Sequence, residues 1–123
     1  MSKNNACKTP RWRLLQAQLN NLDATEFKAK IAAEQVQIVD VRTEQEFETS
    51  HIKDAIPINY FEEEFWDKIE RLDKSKISLI YCRSGRRSIR VCTLMKNGGF
   101  DPDKLFNLRG GMIEWMEQGE EVV

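Results

Sequence analysis

Ile77-Ser78-Leu79-Ile80-Tyr81 runs without a break into Cys82-Arg83-Ser84-Gly85-Arg86-Arg87-Ser88, and this passage decides how the chain is read. The first five residues are apolar and β-branched enough for a buried strand. Val91, Cys92, Leu94 and Met95 then form the apolar face of a helix, which Asn97-Gly98-Gly99 stops. A strand, a tight glycine-bearing loop and a helix in that order place Cys82 at the carboxyl end of a strand, where parallel sheets bind ligands. Gly85 lets the loop turn so that successive N–H groups point inward. The helix dipole and the charges of Arg83, Arg86 and Arg87 point to the same place. All three effects favour a thiolate, which makes Cys82 a candidate nucleophile. Cys92, on an apolar face, reads as core.

Outward from this loop, elements of both kinds alternate. Val36 to Val41 reads as a buried strand, Ile56-Pro57-Ile58 as a short one pushed to an edge by its proline, and Leu105 to Leu108 as a last one. Asp23 and Glu26 form a capping-box start for a helix reaching about Ala33. Thr43 to Thr49 reads as a short acidic helix, and Met112 to Gln118 as a final one after the turn Arg109-Gly110-Gly111. Phe61, Phe65, Trp66, Ile69 and Leu72 make another helical stripe, with Glu64–Lys68 and Asp67–Arg71 as pairs on its far side. Strands alternating with helices predict a mainly parallel α/β sheet covered on both faces.

Before this body, Thr9-Pro10 reads as a helix start, and Trp12, Leu15, Leu19 and Leu22 recur on one helical face, with Asn20-Asn21 as a stop. Residues 1–21 are therefore expected as an amphipathic helical arm, docked on the domain or on a second copy, and 22–123 as the domain. The arm is basic and free of carboxylates, so an organelle presequence is the alternative reading.

The 123 residues are 41% hydrophobic and 32% charged, with nine Gly and Pro, a balance that suits one globular domain. No apolar run is long enough to span a bilayer. Three cysteines without a CxxC, and a single histidine, His51, fit neither a disulfide framework nor a multi-histidine metal centre. A cytoplasmic, reducing setting is the expectation. From Lys74 to Phe100 there are seven basic residues and no carboxylate, yet the formal net charge is −1. Nucleic acid and membrane partners are therefore not expected; a small anionic ligand is.

A cysteine phosphatase needs five residues between its cysteine and an arginine. Here Ser88 stands where that arginine belongs and Arg87 comes one residue early, so the loop is expected to form a narrower cradle. Three motifs now resemble the rhodanese family of sulfurtransferases over roughly Leu22 to Gly119. They are Asp40-Val41-Arg42 with Glu46-Phe47, His51-Ile52 and Ala55 to Asn59; Tyr81 to Ser88; and Leu108-Arg109-Gly110-Gly111 with Trp115 and Gly119. The resemblance implies a three-layer sandwich around a short five-stranded parallel sheet, with helices on both faces. It also implies a thiosulfate sulfurtransferase-like enzyme needing no metal or cofactor. Cys82 would take a sulfane sulfur from a small anionic donor as a persulfide and pass it to cyanide, a thiol or a protein. The N–H groups of Arg83, Ser84, Gly85, Arg86, Arg87 and Ser88 would cradle that sulfur, and the arginines would attract the donor. Asp40 and Arg42 would support the loop, more as a structural ion pair than as chemistry. His51 falls in the family's turn and is expected to pack. Ser50 and Asp54 stand where the family often has glycine; aspartate tolerates the left-handed region. A non-catalytic interaction module and a cysteine phosphatase or arsenate reductase are the alternatives.

Overall fold

A computed structural model describes residues 9–123. Its elements in order are α1 (Arg11–Gln16), β1 (Asn20–Leu22), α2 (Ala24–Ala33), β2 (Val36–Asp40), α3 (Glu44–Thr49), β3 (Ile56–Pro57), α4 (Phe65–Glu70), β4 (Ile77–Tyr81), α5 (Arg86–Asn97), a 3-10 turn (Pro102–Lys104), β5 (Leu105–Leu108) and α6 (Gly111–Glu117). The five strands form one parallel sheet in the order β1-β5-β4-β2-β3. Pro57 lies in the outermost strand, where its missing N–H costs nothing.

Alternation along the strands divides the core between two faces. Val39, Val41, Ile80, Cys82 and Leu105 pack with Phe65 and Ile69 of α4 and Val91, Cys92 and Met95 of α5. Ile38, Leu79, Tyr81 and Leu108 face the other way, against Ala24 and Phe27 of α2 and Met112 and Trp115 of α6. The result is the expected three-layer α/β sandwich. Phe27 centres the second layer, edge-on to Tyr81 and Trp115 at 6.4 and 6.1 Å between ring centroids. The Asp23 capping box that starts α2 is present in both directions, at 2.8 and 2.9 Å.

Two expectations need correction. The Trp12–Leu22 stripe is not one helix: α1 ends at Gln16, and Asn20 to Leu22 pair with Phe106 to Leu108 as an edge strand. The asparagines explain the change. Asn21 Nδ2 donates to the Gln16 carbonyl at the helix end, and Asn20 Nδ2 donates across to Pro102 and Leu105. Tertiary pairing overrides the helical period. The stripe from Phe61 to Leu72 also begins too early. α4 starts at Phe65, Phe61 is 66% exposed, and Lys68 pairs with Glu62 at 2.8 Å rather than with Glu64.

The difference between these phenylalanines is measurable. Phe27→Ala is expected to cost about 3–5 kcal/mol in urea unfolding, and Phe61→Ala to stay within about 0.5 kcal/mol.

Candidate active site

β4 delivers Cys82 to the carboxyl edge of the sheet, and the chain then turns sharply into α5. Gly85 has φ +94°, and a side chain there would overlap the Arg109 carbonyl, so glycine is required on two counts. The turn aims backbone donors at the cysteine. Gly85 N–H lies 3.1 Å from Sγ, Ser88 N–H 3.4 Å, and the Ser88 hydroxyl oxygen 3.5 Å. Fixed N–H dipoles of this kind stabilise negative charge on the sulfur without reorganising. Cys82 itself is only 1% exposed.

The loop is held from outside by α6. Met112 N–H donates to the Cys82 carbonyl at 2.8 Å and Ile113 N–H to the Arg83 carbonyl at 3.0 Å. Those carbonyls are thereby turned away from the sulfur. Such close approach needs Gly111, whose φ is +63° and where a Cβ would sit 2.7 Å from the Cys82 carbonyl oxygen. The Arg109-Gly110-Gly111 turn thus meets the cysteine loop directly.

The three arginines of the loop do not converge as expected. Arg87 turns to Glu46, with two guanidinium–carboxylate hydrogen bonds of 2.9 and 3.1 Å. Arg86 lies 4.3 Å from the centroid of Trp12 on α1. Arg83 is exposed and lines a groove with Arg42, Glu46, Met112, Ile113 and Met116. Charges on neighbouring residues diverge because the helix start sends successive side chains in different directions.

Glu46 is the residue that the sequence reading left without a role. Its Oε1 accepts from Thr43 N–H at 3.0 Å, completing the capping box of α3, and also from Arg87. The Arg87 guanidinium holds its carboxyl down at about 2, with the Thr43 hydrogen bonds helping and partial burial opposing. The only advance signal was the Thr43-x-x-Glu46 spacing, which reads as helix capping.

Asp40 and Arg42 are both buried and paired at 2.7 Å. Asp40 also accepts from the Arg42 backbone, and Arg42 donates to the Ser50 carbonyl at 2.6 Å. Burial alone would lower the Arg42 pKa, but the Asp40 hydrogen bonds and charge outweigh it and raise it. The pair ties the end of β2 to the segment after α3, and neither residue touches Sγ. His51 stacks on Phe47 at 3.7 Å and its Nδ1 lies 2.9 Å from the Phe47 carbonyl oxygen. Asp54 adopts φ +68°, as the turn requires. Cys92 is fully buried, which pushes its thiol pKa up, with the Cys82 charge adding to the rise. Cys7 lies outside the described residues.

Two tests follow from this geometry. Gly111→Ala is expected to destabilise the fold by more than about 1 kcal/mol in urea unfolding, because strain and overlap act together. Glu46 has a folded-state pKa depressed to about 2, against an unfolded value of about 4.3. Its stabilising effect is complete above the unfolded value and disappears as pH falls through the folded one. A pH series of unfolding should therefore show stability falling from about pH 4 towards pH 2, with a shallower fall in Glu46→Gln.

Comparison with known proteins agrees with this architecture. Residues 23–118 match the Rhodanese-like domain family. The chain is 34% identical over 99 residues to YtwF of Bacillus subtilis, covering 80% of this chain and 91% of that one. It is 32% identical over 113 residues to a sulfurtransferase of Allochromatium vinosum, covering 85% and 95%. The crystal structure of a thiosulfate sulfurtransferase from Pseudomonas aeruginosa superposes with a TM-score of 0.75 at 25% identity, over 91% of this chain and 22% of that one. A glycine-turned cysteine loop on a five-stranded parallel sheet, matched over most of its length, makes this chain a member of the rhodanese-like domain family.

Proposed function

We propose that the protein is a sulfurtransferase that carries sulfane sulfur as a persulfide on Cys82. The observation that carries this reading is the pair of N–H groups, from Gly85 and Ser88, directed at a single sulfur. With thiosulfate as donor, the Cys82 thiolate attacks the outer sulfur. A new S–S bond forms to Sγ, the donor's S–S bond breaks, and its electron pair leaves with sulfite. In the second step a cyanide or thiolate acceptor attacks the outer sulfur of the persulfide, and the Sγ–S bond breaks with its electron pair returning to Sγ. A covalent intermediate divides one transfer into two easier ones. The same N–H groups serve both halves, because the negative charge stays within one atom of where it began.

Arg83 and Arg87 are assigned to donor attraction. Arg83 is exposed beside the loop, and Arg87 keeps its charge in a pair with Glu46. Asp40 and Arg42 are assigned to positioning. A phosphatase reading has less support, because Ser88 stands where the phosphatase arginine would be, and here it directs its own N–H at Sγ.

Intact mass measurement is the test. Thiosulfate should add the mass of one sulfur atom, cyanide should remove it, and Cys82→Ser should take up none. A Cys82 that accepts sulfur from neither thiosulfate nor a cysteine persulfide would leave the fold as an interaction module.

A further inference from the structure

Beside the cysteine loop, α1, α5 and Tyr60 border a cleft of about 480 Å³ lined by Arg11, Trp12, Leu15, Arg86, Arg90 and Leu94. Its Arg86 end adjoins the loop that carries Cys82. Arg86 directly follows Gly85, whose N–H reaches Sγ, and Tyr60 N–H donates to the carbonyl of Val41, the residue after β2. Its volume falls in the range of small-molecule sites.

The charge in this cleft is one-sided. None of its lining residues is a carboxylate, and among the described residues Arg11, Arg86 and Arg90 form no ion pair. Residues 1–8 contain no Asp or Glu that could supply one. Arg86 and Arg90 are also four apart on one helix, a like-charged spacing that is unfavourable by itself. A chain with net charge −1 thus gathers three guanidinium groups in one concave place. Trp12, Leu15 and Leu94 supply apolar wall between them. Carboxylate or phosphate groups suit such guanidinium groups, and an apolar linking body suits the wall.

We propose that this cleft is a specificity subsite for the sulfur-transfer partner of Cys82, and that it selects a small thiol bearing two or more anionic groups. The proposal rests on the sulfurtransferase reading and adds the class of acceptor. The anionic groups sit on Arg90, Arg11 and Arg86 while the acceptor thiolate attacks the outer sulfur. The acceptor leaves as its persulfide and Cys82 returns to a thiolate. The arm helix supplies part of the wall, so the region before the sheet contributes to substrate choice.

Binding and turnover test this separately. The full-length Cys82→Ser protein is titrated with isophthalate, a flat dianion without a thiol, and with neutral isophthalamide, with tryptophan fluorescence as readout. Isophthalate should produce a saturable change that is lost in Trp12→Phe, and Arg90→Gln should raise its Kd about fivefold; isophthalamide should produce none. In turnover with the Cys82 protein, the ratio of kcat/KM for mercaptosuccinate to that for 2-mercaptoethanol should fall about fivefold in Arg90→Gln. Equal binding of the two isophthalic compounds, or an unchanged ratio, overturns the proposal. A persulfide that forms without anion discrimination sinks the cleft alone. Anion discrimination without sulfur uptake on Cys82 sinks the transfer reading, and the acceptor assignment with it.

Discussion

Two backbone hydrogen bonds, from the first turn of α6 to the carbonyls of Cys82 and Arg83, govern the orientation of the site. They fix the first two peptide units after the cysteine, and the N–H groups of Gly85 and Ser88, further along the same loop, are the ones that reach the sulfur. Helix N-termini carry unpaired donors by geometry. Here those donors are spent on the loop of a neighbouring strand, and the loop in turn is relieved of two unpaired acceptors. Both glycines at the junction, Gly85 and Gly111, have positive φ, and at both an added side chain would run into the other segment's backbone. The two segments therefore lie too close for any side chain at either position.

Charge around the loop is arranged in tiers. Backbone dipoles meet the sulfur itself. Arg87 is fixed further out by Glu46, whose carboxylate is in turn fixed by the start of α3. Asp40 and Arg42 form a buried brace beneath, a kind of pair that adds little net stability but is costly to break on one side. Arg86 and Arg90 face the separate cleft under α1. Arginines that are neighbours in sequence thereby serve different surroundings, and a single number for local charge would conceal this division.

Much of the fold was legible in the chain. β2, β4 and β5 announce themselves as short apolar, β-branched runs, and α5 by an apolar face closed with Gly98-Gly99. The cysteine loop was legible because Gly85 and its arginines have no simpler local explanation. β1 was hidden because Asn20-Asn21-Leu22 is a strand only through its pairing with β5 and the long-range bonds of its amide side chains. The link from Glu46 to Arg87 was hidden for a related reason: the partners lie 41 positions apart, and only the helix cap is visible locally. The directions of Arg83, Arg86 and Arg87 depend on where the helix begins, which composition does not reveal.

The sheet order has a temporal side. β4 sits between β2 and β5, yet the donors that turn its loop lie after β5, about thirty residues downstream of Cys82. During synthesis from the N-terminus, the thiol leaves the ribosome well before Met112 and Ile113. Throughout that interval its two neighbouring carbonyls have only water to bond, and the turn has nothing to lean on. The nucleophile is thus made early and finished late, so that a chain cut short before α6 carries the reactive atom without its surroundings.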